Sequence, residues 1–597
     1  MRNIVMRKIE NANRPFVRKG QGGLSSEDCM IQKQPGLPLI LAVIICAVLA
    51  APAALAAPAA NGGSDAGNKK NDQAVEVLAS GLDNKPERLE WLQDQGFGLF
   101  INWGVDSQLG SVISHSLVGA SEDFIKRYRE ELPKTFNPKR WDPEFYAMLA
   151  KSCGMKYIAL TTKHHSGFCL WDTKTTPFNV MNTPYGKDIV REFVDACRKY
   201  DLAVGLYYSP EDFMYSHDRG YLIDRLNHRP SANSDPAYVQ FIQAQVSELM
   251  TNYGPVNVFF IDGQGKKPTK EVVWTLQPDC LITRGAISTP EQTVPGLPPK
   301  GAWESCITLG TQWTYKPEQL DKLKDGARTI EILIETRAKG GALLLNIGPR
   351  PDGSMNDLHE DILREVGLWM FVNREGVLNT RSWIVTNERD IWFTKKKDED
   401  TIYAILTRQG EWNRKDRREF VIRSAEATDK TEISVLGHNG KIVEYNRDKG
   451  ADFAPRFEQK PDGLHISVVR GLRYTDDDKW SNPVVVKLTQ VKPSCVPPMV
   501  VNGKASAQAG EVTFRGDLKS LGDAKAVQVG FEYREYAGFV ENMYSGEWQV
   551  TDLKDVAQTG PFELKLKLPA GKTYQWRSVV EHPRVKLAGD NATVGVD

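Results

Sequence analysis

The sequence has few cysteines for its length. Eight cysteines occur in 597 residues, and Cys29 and Cys46 lie near the N-terminus. The other six are widely spaced and none of them forms a CxxC pair, which excludes a disulfide framework or a zinc site of the usual spacing. One or two bridges stay compatible with this spacing. We predict no metal ion and no cofactor.

Neither sign of charge is in excess. Lys and Arg together number 76, and Asp and Glu together also number 76. A balanced chain has no electrostatic attraction to nucleic acid or to an anionic membrane surface, so we expect neither as a partner. Polar or neutral ligands fit this composition better. The chain has 14 tryptophans, whose flat faces suit packing against sugar rings, although most of them are expected in the core.

Charged side chains are absent from residues 34–64. The apolar segment LPLILAVIICAVLA in this stretch leads to the tripeptide ALA at residues 54–56, a small-x-small pattern typical of signal-peptidase cleavage. We therefore predict a signal peptide over residues 1–56, with Met30 as a possible true start, and a linker over residues 57–80. Export to the periplasm or the extracellular space follows, without stable membrane insertion after cleavage. A retained anchor or a lipid-linked form is the alternative.

Strand-like and helix-like patterns alternate over residues 81–384. Short apolar runs such as residues 97–101 and 256–261 predict strands buried on both faces, and amphipathic helical stripes separate them. This alternation predicts parallel pairing with right-handed crossovers. About eight such units predict a (β/α)8, TIM-like barrel. A doubly wound open sheet is the alternative, which the lack of a GxGxxG motif after the first strand disfavours.

The C-terminal part is predicted to be all β. Helical stripes disappear after about residue 385, and short alternating runs separated by turn signals predict a β-sandwich over residues 385–490. The Pro-rich segment 491–498 is predicted to be a hinge. Residues 499–597 have the size and strand spacing of an immunoglobulin-like or fibronectin-like domain. The fold class is therefore multidomain, with an α/β barrel followed by two β units.

Unusual polar and aromatic residues follow the strand-like runs of the barrel. Because the carboxyl ends of parallel strands meet at one end of a barrel, these residues are expected to share a ligand site. They are Asn102, Trp103, His164, His165, Tyr208, Asp262, Arg284 and Glu304.

Two carboxylates beside histidine, arginine and tyrosine suit glycoside hydrolysis. One carboxylate attacks the anomeric carbon, and the other donates a proton to the leaving oxygen and later activates water. Asp262 directly follows the run VFFI and is our candidate nucleophile, with Arg284 or a histidine expected to lower its pKa. The alternative is an aspartate that caps a helix or ends a strand.

Glu304 is our candidate acid/base. It lies between Trp303 and Cys306, whose apolar surroundings would raise its pKa as such a role requires. A structural glutamate is the alternative, and Glu291 is the reserve candidate.

The pair His164–His165 is open to two interpretations. Adjacent residues that leave a strand point in divergent directions, which disfavours a chelating pair. Contacts to neighbouring sugar hydroxyls are one interpretation, and a core or capping pair is the other.

These residues lie in segments that resemble the α-L-fucosidases of glycoside hydrolase family 29. The run TKHHSGFCLWD at residues 162–172 is the most specific of them. The matching segments are FGLFINWG (97–104), the stretch 136–174, VGLYYSPEDF (204–213), VFFIDG (258–263), TPEQ (289–292), AWESC (302–306), AKGGALLLNIGPRPDG (338–353) and LREVGLWMFVNREGV (363–377).

The resemblance implies a retaining exo-glycosidase that removes terminal α-L-fucosyl residues from fucosylated oligosaccharides or glycoconjugates. It places the family's nucleophile on Asp262 and, less securely, its acid/base on Glu304. Its sugar-binding residues fall on Trp103, His164, His165, Tyr207 or Tyr208, and Arg284.

Two positions depart from the family pattern. Asn102 stands where the family usually has a histidine that contacts the sugar, and Phe260 stands where a tryptophan is usual. Asparagine has a shorter reach and no charge. A related glycone such as α-L-galactoside is therefore an alternative substrate, and a non-catalytic carbohydrate-binding protein is an alternative function.

Overall fold

The computed structural model describes residues 81–224, 229–441, 452–472, 480–538 and 546–596. The predicted signal peptide at residues 1–56 and the linker at residues 57–80 lie outside the described residues. Within the described ranges, none of the helices has the length and apolar character needed to cross a membrane.

A parallel sheet forms the centre of the N-terminal half. Its seven strands are in the order β5-β4-β3-β2-β1-β7-β6, and every pairing is parallel. The strands are β1 (Phe97–Ile101), β2 (Tyr157–Lys163), β3 (Ala203–Tyr208), β4 (Val258–Ile261), β5 (Leu281–Ile282), β6 (Glu304–Thr308) and β7 (Ala342–Ile347). All residues of β1, β2, β4 and β7 are buried, as expected for strands covered on both faces.

Most helices of this half pack on the outer face of the sheet, whereas the first one packs against inward-facing side chains at the amino end of the strands, with Leu92 in the cluster of Phe100 and Tyr157. The helices are α1 (Pro86–Gln95), α2 (Glu122–Glu130), α3 (Pro143–Ser152), α4 (Ile189–Lys199), α5 (Pro236–Asn252), α6 (Lys266–Leu276), α7 (Gly326–Ala338) and α8 (Asp357–Asn373). Side chains of Asp142, Asp188, Asp235 and Asp325 accept backbone N–H bonds at the starts of α3, α4, α5 and α7. At α3, Asp142 caps the helix and Pro143 lies in the first turn, where a backbone N–H would have no acceptor within the helix.

The predicted TIM-like architecture is confirmed, with one irregular position. Between β5 and β6 the chain forms no regular strand. The segment between them pairs with β6 through isolated parallel bridges, Ser288 with Trp303 and Glu291 with Cys306. It therefore lies beside the edge of the seven-stranded sheet, where the sequence pattern of about eight units predicts a regular strand.

Antiparallel sheets follow the barrel. A five-stranded sheet in the order β12-β15-β10-β9-β8 and a three-stranded sheet in the order β11-β14-β13 enclose one hydrophobic cluster. The strands are β8 (Thr380–Glu388), β9 (Ile391–Lys396), β10 (Thr401–Leu406), β11 (Arg417–Ile422), β12 (Ala425–Val435), β13 (Arg456–Lys460), β14 (Gly463–Val469) and β15 (Val484–Pro493). Strand β15 continues into the Pro-rich segment 491–498, so the start of that segment is paired in a sheet.

The C-terminal residues form two further antiparallel sheets. In one, β18 pairs with β16, β17 and β22; in the other, β19 and β23 pair with each other and with β20, β21, β24 and β25. The strands are β16 (Met499–Asn502), β17 (Ser506–Gln508), β18 (Glu511–Ser520), β19 (Val527–Glu535), β20 (Gln549–Val550), β21 (Lys554–Val556), β22 (Gly560–Lys567), β23 (Lys572–Glu581), β24 (Lys586–Ala588) and β25 (Ala592–Val596). We call residues 499–596 the C-terminal unit.

The cysteines of the described chain are buried and unbridged. Cys153, Cys169, Cys197, Cys280, Cys306 and Cys495 all carry free thiols. The wide spacing in the sequence is therefore accompanied by thiols that act as small apolar core groups.

Candidate active site

Asp262 lies directly after β4, at the carboxyl end of the sheet. Its backbone N–H donates to the carbonyl of Tyr208, 3.2 Å away, which ties it to the end of β3. The next residue, Gly263, has φ +94°, a conformation that side chains of L-residues rarely adopt. This turn directs the chain away from the barrel, and the Asp262 side chain keeps 21% of its surface exposed.

Three groups hold the Asp262 carboxylate. Arg284 Nε lies 3.2 Å from Oδ1, the Tyr207 hydroxyl donates to Oδ2 at 2.8 Å, and His165 Nε2 lies 3.7 Å from Oδ2. Burial alone raises the pKa of this carboxyl, but the charges of Arg284 and of the two histidines outweigh burial and hold its pKa well below the usual range. Asp262 is therefore ionised near neutral pH, as a nucleophile must be.

The histidine pair is packed against the same carboxylate. His165 Nδ1 lies 2.6 Å from Ser209 Oγ, which fixes one edge of the ring while Nε2 faces Asp262. The His164 ring stacks on Tyr207 with centroids 5.3 Å apart. The two adjacent rings are inclined by 76°. The two rings are therefore nearly perpendicular to each other beside Asp262.

Arg284 connects two acids. Its Nη1 atom lies 2.8 Å from Oε2 of Glu291, while its Nε atom contacts Asp262. Burial lowers the pKa of Arg284, but the two carboxylates outweigh it and raise that pKa well above its ordinary value. Glu291 is 23% exposed. One guanidinium therefore brings the reserve candidate Glu291 next to the candidate nucleophile.

Glu304 lies at the other end of the barrel, which corrects the position expected from the sequence. It is the first residue of β6 and pairs with Ala342, the first residue of β7. Its carboxylate accepts a hydrogen bond at 2.5 Å from the hydroxyl of Tyr157, the first residue of β2. Trp303 and Glu304 thus begin a strand, whereas the other candidate residues follow one.

The distance between the two ends can be judged from the register. Tyr157 pairs with Ala203, and Asp262 is bonded to Tyr208, five residues further along β3. At about 3.3 Å per residue, this difference amounts to roughly 16 Å along the strand. The Glu304 side chain is fully buried. Burial raises its pKa to about 7, while the hydrogen bond from Tyr157 acts in the opposite direction.

The two tyrosines that end β3 face opposite sides of the sheet. Tyr207 points into the barrel, where its ring lies 5.4 Å from that of Phe260 and its hydroxyl reaches Asp262. Tyr208 points to the helix layer and donates to Gln245 at 2.8 Å. Successive residues of a strand alternate in direction, so only Tyr207 belongs to the site. Phe260 lies below Arg284, whose guanidinium carbon is 5.7 Å from the ring centre.

Asn102 and Trp103 lie deeper than the charged residues. Asn102 is 2% exposed; its amide donates to Asn346 Oδ1 at 2.8 Å, and its oxygen accepts from Thr161. Trp103 is buried in an aromatic cluster, 5.0 Å from the Trp141 ring and 5.6 Å from the Phe136 ring. Both residues therefore support the floor and wall of the site by packing and hydrogen bonding.

Glu211 is a part of the site that our sequence reasoning missed. Its Oε1 atom accepts the backbone N–H of Gln264 at 2.7 Å, and its Oε2 atom lies 3.7 Å from His165 Nδ1. A Cβ atom added to Gly263 would lie 2.7 Å from the Glu211 carboxyl carbon. The signal in the sequence is the acidic pair after the strand end YYSP, at residues 211 and 212.

The charges around Asp262 also bear on metal binding. One donor atom from each of His164, His165 and Asp262 lies within 4.8 Å of the others, a spacing that a metal ion can use. Arg284 already supplies a positive charge to the same carboxylate. The arrangement therefore favours a neutral polyhydroxylated ligand over a cation.

Comparisons with known proteins agree with this geometry. The family model described as alpha-L-fucosidase matches residues 65–375. The plasma alpha-L-fucosidase of Homo sapiens is 29% identical over 58% of this chain and 81% of that protein, and the alpha-L-fucosidase of Branchiostoma floridae is 30% identical over 54% and 80%. The solved structure of alpha-L-fucosidase isoenzyme 1 from Paenibacillus thiaminolyticus has a TM-score of 0.54 and 26% identity, covering 68% of this chain and 98% of that one. The chain is a glycoside hydrolase and belongs to the α-L-fucosidase family, glycoside hydrolase family 29.

Proposed function

We propose that the protein hydrolyses terminal α-L-fucosyl residues of glycans with retention of configuration. The observation that carries the proposal is the Asp262 carboxylate, which is ionised, partly exposed and held by Arg284, His165 and Tyr207 at the carboxyl end of the barrel. The site offers hydrogen-bonding groups of several kinds beside this carboxylate, as recognition of sugar hydroxyls requires.

The reaction has two displacement steps. In the first, an Asp262 oxygen bonds to C1 of the sugar, the bond from C1 to the leaving oxygen breaks, and Glu291 gives its proton to that oxygen. In the second, Glu291 takes a proton from water, the water oxygen bonds to C1, and the bond from C1 to Asp262 breaks. The two inversions restore the original configuration at C1.

The assignment of the acid/base to Glu291 rests on position. Glu291 and Asp262 contact the same guanidinium, and both are exposed by about a fifth of their surface. Glu304 is fully buried and bonded to Tyr157 at the amino end of the strands. A general acid must reach the leaving oxygen. Glu304 therefore does not qualify for this role, although its pKa is raised.

Aromatic and imidazole rings supply the sugar contacts. The stacked rings of His164, Tyr207 and Phe260 form one wall of the site, and the imidazole nitrogens of the histidines can hydrogen-bond to neighbouring sugar hydroxyls. Asn102 is shorter than the histidine usual in the family. Its bonds to Asn346 and Thr161 keep it at the floor, so discrimination between L-fucose and L-galactose depends on the space above it.

The substrate and the location follow from the family and the leader. Fucosylated oligosaccharides or glycoconjugates are the proposed substrates, and export is the proposed fate because an uncharged apolar stretch precedes the linker. A relative named plasma alpha-L-fucosidase supports the export proposal.

The test is hydrolysis of an aryl α-L-fucoside followed by NMR of the first-formed sugar. We expect the α-anomer first, faster turnover of the fucoside than of the matching α-L-galactoside, and a loss of roughly three to six orders of magnitude in Asp262→Gly. Azide added to Asp262→Gly should give β-L-fucosyl azide, because azide then attacks C1 directly. Asp279→Gly, at an exposed acid paired with Lys85, is the matched control and should behave as wild type.

Three results would contradict the proposal. If the β-anomer is the first product, the enzyme inverts the configuration. If Asp262→Gly keeps full activity, Asp262 is not the nucleophile. If the galactoside is the better substrate, the proposed glycone is wrong and the proposed mechanism still holds.

A further inference from the structure

The loop that carries Glu291 is held at its inner end by β6. The N–H of Gln292 donates to the carbonyl of Cys306 at 2.9 Å, and the Gln292 side-chain oxygen accepts from the N–H and hydroxyl of Thr308 at 3.2 and 3.1 Å. Gln292 has φ +55°, a strained conformation for a residue with a side chain. These contacts fix the backbone next to Glu291.

The outer end of the same loop is held by the C-terminal unit. The carboxylate of Asp590 accepts the backbone N–H groups of Gly296 and Leu297 at 3.0 and 3.3 Å. A Cβ atom added to Gly296 would lie 2.6 Å from the backbone nitrogen of Asn591. The two backbones therefore approach so closely that only glycine fits at position 296.

The turn that presents Asp590 is itself well supported. It connects β24 and β25, and the Asn502 side chain donates to the Asp590 carbonyl. The same Asn502 side chain accepts from the N–H and hydroxyl of Ser578 at 2.8 and 2.7 Å. Val585, just before β24, is buried in the hydrophobic cluster of the preceding sandwich. The turn is thus anchored to both β units.

The prolines of this loop reduce the number of backbone hydrogen bonds that it can form within itself. The stretch TPEQTVPGLPP at residues 289–299 contains four prolines, each without an N–H group. Lys339 contributes one further contact, from its ammonium to the carbonyl of Pro295. Since two amides of the outer loop end on one carboxylate, removal of that carboxylate leaves them without their acceptor.

From these contacts we infer that Asp590 is a positioning residue for the general acid, and that the C-terminal unit forms part of the catalytic apparatus by fixing the Glu291 loop. The inference rests on the proposed acid/base role of Glu291. The unit acts on the reaction through the backbone of residues 291–297 and does not touch the sugar at the anomeric carbon.

A displaced general acid has a recognisable kinetic effect. Proton donation matters for a poor leaving group such as phenol and little for fluoride, which departs without a strong acid. The ratio of kcat/KM for α-L-fucosyl fluoride to that for phenyl α-L-fucoside therefore reports the position of the acid. A general loss of stability instead lowers kcat/KM for both substrates by the same factor and leaves the ratio unchanged.

The experiment compares four full-length variants with wild type. Asp590→Ala removes the acceptor, Gly296→Ala separates the two backbones, Glu291→Gln removes the acid, and Asp552→Ala changes an exposed acid of the same unit. We expect the fluoride-to-phenyl ratio to rise at least about tenfold in Asp590→Ala and Gly296→Ala, to rise further in Glu291→Gln, and to stay unchanged in Asp552→Ala.

The outcomes separate the two hypotheses. If Glu291→Gln leaves the ratio unchanged, the proposed acid/base assignment fails. If Glu291→Gln raises the ratio but Asp590→Ala and Gly296→Ala do not, the positioning role of Asp590 is wrong. An equal loss on both substrates in those two variants, with a lowered Tm, also overturns it, because that pattern reports only a structural contact.

Discussion

The two ends of the barrel contain acids with opposite properties. At the carboxyl end, burial is opposed by Arg284 and two histidines, and the pKa of Asp262 lies well below its usual range. At the amino end, burial of Glu304 is opposed only by hydrogen bonds, and its pKa rises to about 7. Loss of solvent raises the pKa of both carboxyls, so the neighbouring positive charges decide that Asp262 is ionised and Glu304 is not.

This comparison separates two properties that a sequence pattern suggests together. Glu304, beside Trp303 and Cys306 in the sequence, has the raised pKa of a general acid, but it is fully buried at the amino end of the strands. Glu291 has no such apolar neighbours in the sequence and yet contacts Arg284, the same arginine that contacts Asp262. Access to the substrate is therefore the more informative criterion for the role.

The largest effect that tests this comparison is expected from replacing Glu291. Glu291→Ala should lower kcat/KM for phenyl α-L-fucoside by about 10²–10⁴-fold, because the leaving oxygen loses its proton donor. Azide should restore turnover and give α-L-fucosyl azide, since it attacks the intermediate on Asp262. The measurement is steady-state kinetics with product NMR.

Glu304→Gln is the matched variant at the other end. It should keep kcat/KM within about twofold of wild type, because the amide still accepts a bond from Tyr157 and no substrate reaches it. A large loss in Glu304→Gln with little loss in Glu291→Ala would reverse the assignment.

A smaller effect is expected from Gly263→Ala, which perturbs the carboxyl end alone. The residue has φ +94°, and an added Cβ would lie 2.7 Å from the Glu211 carboxyl carbon, so the turn after Asp262 must shift. We expect kcat to fall by roughly tenfold to a hundredfold, because a displacement of about 1 Å costs this much. Gly220→Ala, at φ +76° with open space around it, carries the backbone strain without the clash. Equal kinetics in both variants would contradict the prediction.

The smallest effect on activity, and the clearest on stability, concerns the charge of Glu304. Its pKa is about 7 in the folded protein and 4.5 in an unperturbed glutamate, so between these values the native state holds a proton that the unfolded chain releases. Stability from this group is complete below about 4.5 and is lost as the pH rises through about 7, a change of about 3 kcal/mol. In Glu304→Gln this part of the pH dependence should vanish.

Urea unfolding followed by tryptophan fluorescence at pH 5 and at pH 8 measures this difference. The pH dependence of wild type minus that of Glu304→Gln isolates the group, and Glu130→Gln at an exposed position is the control. Identical pH dependence in wild type and Glu304→Gln would show that Glu304 is not protonated in the folded protein at pH 5 to 7.

Much of the architecture and part of the site could be predicted from the sequence. The apolar runs before Asn102, His164, Tyr208 and Asp262 are buried strands, and three residues at their carboxyl ends, His165, Tyr207 and Asp262, do meet. This works because a run that is apolar throughout must be covered on both faces, and parallel pairing places the ends of such runs together.

Three features were decided only by the tertiary structure. Tyr207 and not Tyr208 reaches Asp262, because the pleat of β3 sets the direction of each side chain. Glu304 begins β6, and Glu291 lies in an irregular segment beside that strand. The register of this segment is set by isolated bridges to Trp303 and Cys306, and a periodic sequence pattern does not reveal such bridges. The contact between Asp590 and the Glu291 loop joins residues almost 300 positions apart.

The sequence by itself determined which segments become strands and helices, because burial of apolar side chains depends on local pattern. It also determined the nucleophile candidate, since an acid after a fully buried strand has few alternatives. The choice between Glu291 and Glu304 as the second carboxylate depended on the tertiary structure. Glu291 contacts Arg284 together with Asp262, whereas Glu304 is buried away from solvent. Those are distances between segments remote in the chain, and they exist only once the barrel and its C-terminal sheets have packed together.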